Sequence, residues 1–143
     1  MTCLTVLHTN DLHARVQPVL RIAALARQIR NAVTASGGYG FLCDAGNAED
    51  TILYESSITK GRAMMAILRG AGYELEALGN ASPSRYGPQA IAGLADGFGR
   101  PLLCANMFDP VTGQLVNGRE PYTLRTFGDV TVGFIGLTAV MRN

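Results

Sequence analysis

The chain has 143 residues, enough for one domain with a real hydrophobic core. Hydrophobic residues make up 48% and charged residues only 16%, against about 25% in an ordinary domain, which excludes disorder and points to an unusually apolar surface. Twelve basic residues against eleven acidic ones leave a formal charge of +1, which removes the electrostatic case for nucleic acid or an anionic membrane as partner. In chain order, residues 3–9 (CLTVLHT) form a β-rich run that ends in the polar NDLHAR. Pro18 then opens VLRIAALARQIRNAV, where Leu20, Ala24, Leu25, Ile29 and Val33 recur at helical spacing. Pro18 suits a first helical position and Gly37-Gly38 a stop. YGFLCDAG is too short for a helix and reads as a strand running into a polar loop from Asn47 to about Thr59. KGRAMMAILRGAG is a helix closed by Gly70 and Gly72, ELEALGN a strand, and ASPSRYG a loop. PQAIAGLADGFG is a helix and PLLCANMF a strand, followed by the turn-rich VTGQLVNG. PYTLRTF and the β-branched DVTVGFIGLTAV pair as a hairpin about Gly128-Asp129.

The order β-α-β-α-β-α-β plus a hairpin predicts an α/β fold over residues 1–143, one domain with a mainly parallel sheet, flanking helices and a C-terminal β-hairpin. Ligands in such sheets sit at the carboxyl ends of the strands. The loops at those ends are the polar ones here: Asn10-Asp11-Leu12-His13, Asp44-Ala45-Gly46-Asn47 and Gly79-Asn80-Ala81. No run approaches the ~18–20 apolar residues of a membrane span. The N-terminus carries no basic segment followed by an apolar one, so a cytoplasmic location is expected. Cys3, Cys43 and Cys104 lie in apolar runs with no C-x-x-C, and read as buried reduced thiols.

Asp11 and His13 leave a strand as a D-x-H pair. Two residues apart in extended chain, their side chains fall on one side and can reach one metal ion. Carboxylate with imidazole suits Zn²⁺, Mn²⁺ or Fe. Both residues also have structural readings, Asp11 in an Asx-turn and His13 donating to a backbone carbonyl. Asn80, after Gly79, can equally hold a turn. His8 belongs to the strand run and is expected to pack or cap the sheet.

The segments LHTNDLHAR (7–15), DAGN (44–47), KG (60–61), GYELEALGN (72–80) and VGFIGLT (132–138) are together similar to the calcineurin-like metallophosphoesterases, in their 5′-nucleotidase branch. The similarity runs along nearly the whole chain in order. It implies half of an α/β/β/α sandwich, the N-terminal half of the catalytic domain, and a two-metal hydrolase of phosphate esters, often nucleotides. In that resemblance Asp11 and His13 correspond to the first metal ligands, Asn47 to the bridging Asp, and Asn80 to the Asn of the G-N-H-[ED] motif. The His of that motif falls on Ala81 and its acid on Ser82. Relatives of this kind are often exported.

Two cations about 3.5–4 Å apart need an anionic bridging oxygen, and the amide of Asn47 is neutral. The chain holds two histidines, His8 and His13. At most one divalent cation (Mn, Zn or Fe) per chain is therefore expected, or none, and no catalytic residue is assigned. Three readings follow. The first is a degenerate, catalytically inactive domain used for binding or assembly, and the second a hydrolase subunit completed by another chain that brings histidines. The third is a nucleotide or phosphate binder using helix N-termini. The second sheet face, left open by the missing half, predicts a homodimer or a partner chain covering it, as do the low charge content and the mean hydropathy of +0.15.

Overall fold

In the computed structural model, residues 2–49 and 52–139 are described. Strands β1 (Leu4–Thr9), β2 (Tyr39–Asp44) and β3 (Leu75–Glu76) form a parallel sheet in that order, with Thr9 beside Asp44 and Asp44 beside Glu76. Helix α1 (Val16–Ala35) connects β1 to β2, α2 (Tyr54–Ile58) and α3 (Arg62–Gly70) connect β2 to β3, and α4 (Ala81–Tyr86) and α5 (Ala90–Phe98) connect β3 to β4 (Leu102–Leu103). After β5 (Arg119–Glu120), β6 (Tyr122–Phe127) and β7 (Val130–Ile135) make an antiparallel hairpin. The alternating α/β order and the hairpin are as the periodicity predicts.

The fourth strand is less regular than expected. It joins β3 through a single bridge, Ala77 to Leu103, and pairs in parallel with β5. Its backbone donors are split, Cys104 N–H to Glu120 and Ala105 N–H to Gly136, so no one ladder extends along it. Two expected loops contain short helices. In α2, Thr59 Oγ1 donates to the Glu55 carbonyl at 2.9 Å. In α4, Asn47 Oδ1 accepts from the Ala81 N–H at 3.1 Å, a cap supplied by a distant residue that no local pattern displays. Asp50 and Thr51 of the first loop, and Val140 of the final β-run, lie outside the described residues. Helix α1 starts two residues before Pro18, which still falls in the first turn, where a missing N–H leaves nothing unpaired.

Period-two alternation divides the core between two faces of the sheet. On one, Leu42 and Leu102 pack with Val19, Met64, Met65, Leu68, Ile91 and Phe98 from the helices. On the other, Phe41, Leu75 and Leu103 meet the hairpin residues Phe127, Val132 and Phe134. The Phe41 ring stacks on Phe134 at 4.8 Å and meets Phe127 edge-on at 5.7 Å. The expectation of an open sheet face is corrected in part: the hairpin's apolar inner side covers the face over β2 and β3, while Val6 and His8 of β1 on the same face stay exposed. The apolar surface moves outward, to Tyr122, Leu124 and Ile135, which are exposed on the hairpin's outer side. A second correction concerns the thiols: Cys104 is buried and Cys43 half-buried, but Cys3 is exposed. It precedes β1, the edge strand, where its carbonyl is held by the Tyr39 N–H while its side chain faces out.

Candidate functional site

The loop after β1 and the loop after β2 are zipped by three backbone bonds: Asp11 N–H to Gly46, His13 N–H to Asn47 and Ala14 N–H to Ala48, at 3.0, 3.1 and 2.8 Å. The zipper holds a run of backbone that non-glycine residues rarely adopt. Asp11, His13, Ala14 and Asn47 have φ of 52°, 48°, 55° and 56°. Such residues persist only where their surroundings over-determine them, and they concentrate at functional sites. Asp11 and His13 do share one side, as expected, but for a different reason. The chain is left-handed at both residues rather than extended, and the turn brings His13 Nε2 to 3.7 Å from Asp11 Oδ1.

The loop after β3 completes the cluster. Asn47 Nδ2 donates to Asp11 Oδ1 at 3.2 Å and to Asn80 Oδ1 at 3.0 Å. Its Oδ1 accepts from the Ala81 N–H. A backbone N–H can only donate, so this bond fixes the amide with its nitrogen turned toward Asp11 and Asn80. All four predicted site residues, Asp11, His13, Asn47 and Asn80, are thus gathered at one end of the parallel sheet. Gly79 is what allows the approach: a Cβ there would lie 2.3 Å from both the backbone nitrogen and Oδ1 of Asn47. His8 stays apart, exposed in the middle of β1 in register with Cys43.

Sequence reasoning missed Asn10, whose Nδ2 donates to Asp11 Oδ2 at 2.9 Å. Together with Asn47, and with the His13 imidazole nearby, it holds the Asp11 carboxyl below its ordinary range, so Asp11 is ionised at neutral pH. Reasoning from sequence also missed the floor of the site. Asp44, Glu49 and Glu76 are 2%, 1% and 1% exposed. An acid alternating with leucines in ELEAL is the only trace of this in the sequence, and it reads equally well as a solvated face.

The donor set was tested against the two-cation centre that the resemblance implies. Asp11 Oδ1 and His13 Nε2 are close enough to share one divalent cation, and both side chains are about half exposed. Asn47, the residue that the resemblance sets at the bridging position, turns its amide nitrogen toward Asp11, and an N–H group repels a cation. The residues therefore fit one cation and do not fit a bridged pair. Among the described residues no cluster of three or more His, Cys, Asp or Glu is placed to hold a metal.

Comparison with known proteins finds relatives among 5′-nucleotidases and metallophosphoesterases. The chain is 30% identical over 95% of its length to the 5′-nucleotidase of Bos taurus, and spans 26% of that protein. It is 25% identical over 92% of its length to the metallophosphoesterase YunD of Bacillus subtilis (strain 168), and spans 28% of it. Among solved structures, the NAD nucleotidase NadN of Haemophilus influenzae superposes with a TM-score of 0.79 over 96% of this chain and 26% of that one; at 22% identity it attests the fold. No protein-family model matches the chain. The chain thus spans about a quarter of the length of the relatives it matches. No helix among the described residues is long and apolar enough to cross a membrane.

Proposed function

We propose that this homologue of the N-terminal portion of 5′-nucleotidases and metallophosphoesterases is a binding or assembly domain that holds at most one divalent cation and does not by itself hydrolyse phosphate esters. The observation that carries the reading is the amide of Asn47. It bonds Asp11 and Asn80 at once, in the place where two cations would need an anionic oxygen between them. One carboxylate, Asp11, cannot balance two divalent ions in a half-exposed site. Ala81 and Ser82, next in sequence, offer neither an imidazole nor a carboxylate where a phosphate oxygen would need a donor or a second ligand. When bound, a cation at Asp11 and His13 would supply a positive charge for one phosphate oxygen, and Asn80 would stay committed to Asn47. The ligand that fits is a phosphate ester, of which nucleotides are the class suggested by the names of the relatives.

The assay is direct. The chain is supplied with an aryl phosphate and with AMP in saturating Mn²⁺, Co²⁺ and Zn²⁺. Absent or marginal turnover is the expected result, and turnover in the ordinary enzyme range of ~1–10³ s⁻¹ contradicts the reading.

One observation favours the alternative, a hydrolase subunit completed by another chain. The outer side of the β6–β7 hairpin exposes Tyr122, Leu124 and Ile135 as adjacent and diagonal neighbours across the ladder, with Leu137 following. A second copy seated there is the simplest partner, and a chain bringing histidines is the other. Copurification of a second chain, with activity appearing only in the complex, would favour the alternative.

A further inference from the structure

Asp44 and Glu76 lie side by side on the β2–β3 ladder, on its helix-packed face, at the strand ends that carry the candidate site. Both are almost fully buried, and Glu76 Oε2 has no hydrogen-bond donor. Asp44 is better served: Thr9 Oγ1 donates to its Oδ2, and the Gly46 N–H to its Oδ1 at 2.8 Å. The Thr9 hydroxyl also reaches Tyr73 Oη at 3.0 Å. The titratable groups that face the pair are Glu49 from the loop after β2, Tyr73 from the turn before β3 and Cys43 from β2. Helices α3 and α5 present Met64, Met65, Leu68, Ile91 and Leu94 to this part of the core. None of these groups is a cation, and among the described residues no ion pair reaches Asp44 or Glu76. Two buried carboxylates in contact with no counter-charge cannot both ionise, so at least one proton must stay between them.

We propose that Asp44 and Glu76 form a proton-sharing pair that latches β2 to β3 beneath the candidate site, complete once Asp44 has ionised and held for as long as Glu76 keeps its proton. In the latched form the Glu76 carboxyl donates its proton to a carboxylate oxygen of Asp44, while Thr9 and Gly46 hold the other lone pairs. Below the Asp44 step both carboxyls carry a proton, and only well above it does loss of the Glu76 proton leave two facing charges at the root of the turn that presents Asn47. Desolvation pushes Asp44 up to about 6, with the charge of Glu49 adding and the bonds from Thr9, Gly46 and Glu76 opposing, and it pushes Glu76 well above its ordinary value, with the charge of Asp44 adding. The folded state therefore binds more protons than the unfolded one. Stability is fullest below the ordinary carboxylate range near 4 and declines as pH rises through about 6, the reverse of common acid denaturation. The latch stands whether or not the site above it binds a cation.

The test follows side-chain carboxyl ¹³C shifts, the Gly46 amide proton and thermal melting of the intact chain from about pH 5 to about pH 8. The expected result is a carboxyl step near 6 that the Gly46 signal reports, a second carboxyl still protonated at neutrality, and a Tm that falls by several degrees toward alkaline pH. Glu76→Gln, whose amide donates permanently, should flatten that fall, and Asp44→Asn should remove the step. Carboxyls titrating in the ordinary range, or a Tm that holds or rises toward pH 8, overturn the proposal. The wild-type measurement alone decides, so a variant that fails to fold does not leave the matter open.

Discussion

Asn47 holds three loops at once, through its backbone carbonyl to His13, its amide nitrogen to Asp11 and Asn80, and its amide oxygen to Ala81. An Asp in its place keeps the Ala81 bond but sets a second charge against Asp11. Asn47→Asp is therefore expected to destabilise the metal-free chain by on the order of 1 kcal/mol. It should bind Mn²⁺ roughly tenfold more tightly, about 1.4 kcal/mol, without gaining turnover, because Ala81 remains. Melting in chelator and calorimetric Mn²⁺ titration read the two effects separately. Gly79→Ala acts on the same residue from below. Its methyl would overlap the Asn47 backbone, so a loss of about 1–3 kcal/mol in stability is expected, with weaker cation binding in the same titration. Asp11, His13, Asn47 and Asn80 could be named as candidates from the sequence because their segments lie after predicted strands and resemble the motifs of the 5′-nucleotidase branch. Their hydrogen bonds could not be, since a left-handed backbone at four non-glycine positions depends on contacts between loops far apart in the chain.

At the scale of elements, periodicity was enough to place a helix where it runs for two turns or more. Helices α1, α3 and α5 fall where Leu20–Val33, Met64–Leu68 and Ile91–Phe98 repeat at helical spacing, but the stripe read for α1 is not its core face: Val19 and Ala26 are buried, and Leu20, Ala24 and Leu25 are exposed. It failed for α4, which is capped by Asn47 from another loop, and for β4, around which the backbone donors are split between the β5 segment and Gly136. The hairpin's role was also hidden, because PYTLRTF alternates whichever side is covered. Phe41 and Phe134 are what place it. Phe41→Ala is expected to cost about 3–5 kcal/mol, since the ring is fully buried against Phe127 and Phe134. Urea unfolding should show that loss as a lower midpoint. A loss under about 1 kcal/mol would mean that the hairpin does not pack on the sheet.

For the molecule as a whole, a charged fraction of 16% has a visible counterpart in the apolar outer face of the hairpin. Surface of this kind, with Tyr122, Leu124, Ile135 and Leu137 together, is seldom left uncovered in monomers. Light scattering at micromolar concentration is expected to give a mass above one chain, and Leu124→Lys to return it toward the 15.2 kDa monomer. A wild-type monomer in the same measurement would remove the case for association. At the candidate site, Asp11 and His13 supply donors for one cation, and Asn47 presents an amide toward Asp11 where a second cation would need an anionic bridge. Metal content after equilibration with excess Mn²⁺ or Zn²⁺ and removal of the free ion tests it most directly. At most one ion per chain is expected, lost in Asp11→Ala. Two ions per chain, retained by the wild type at the same site, would contradict it.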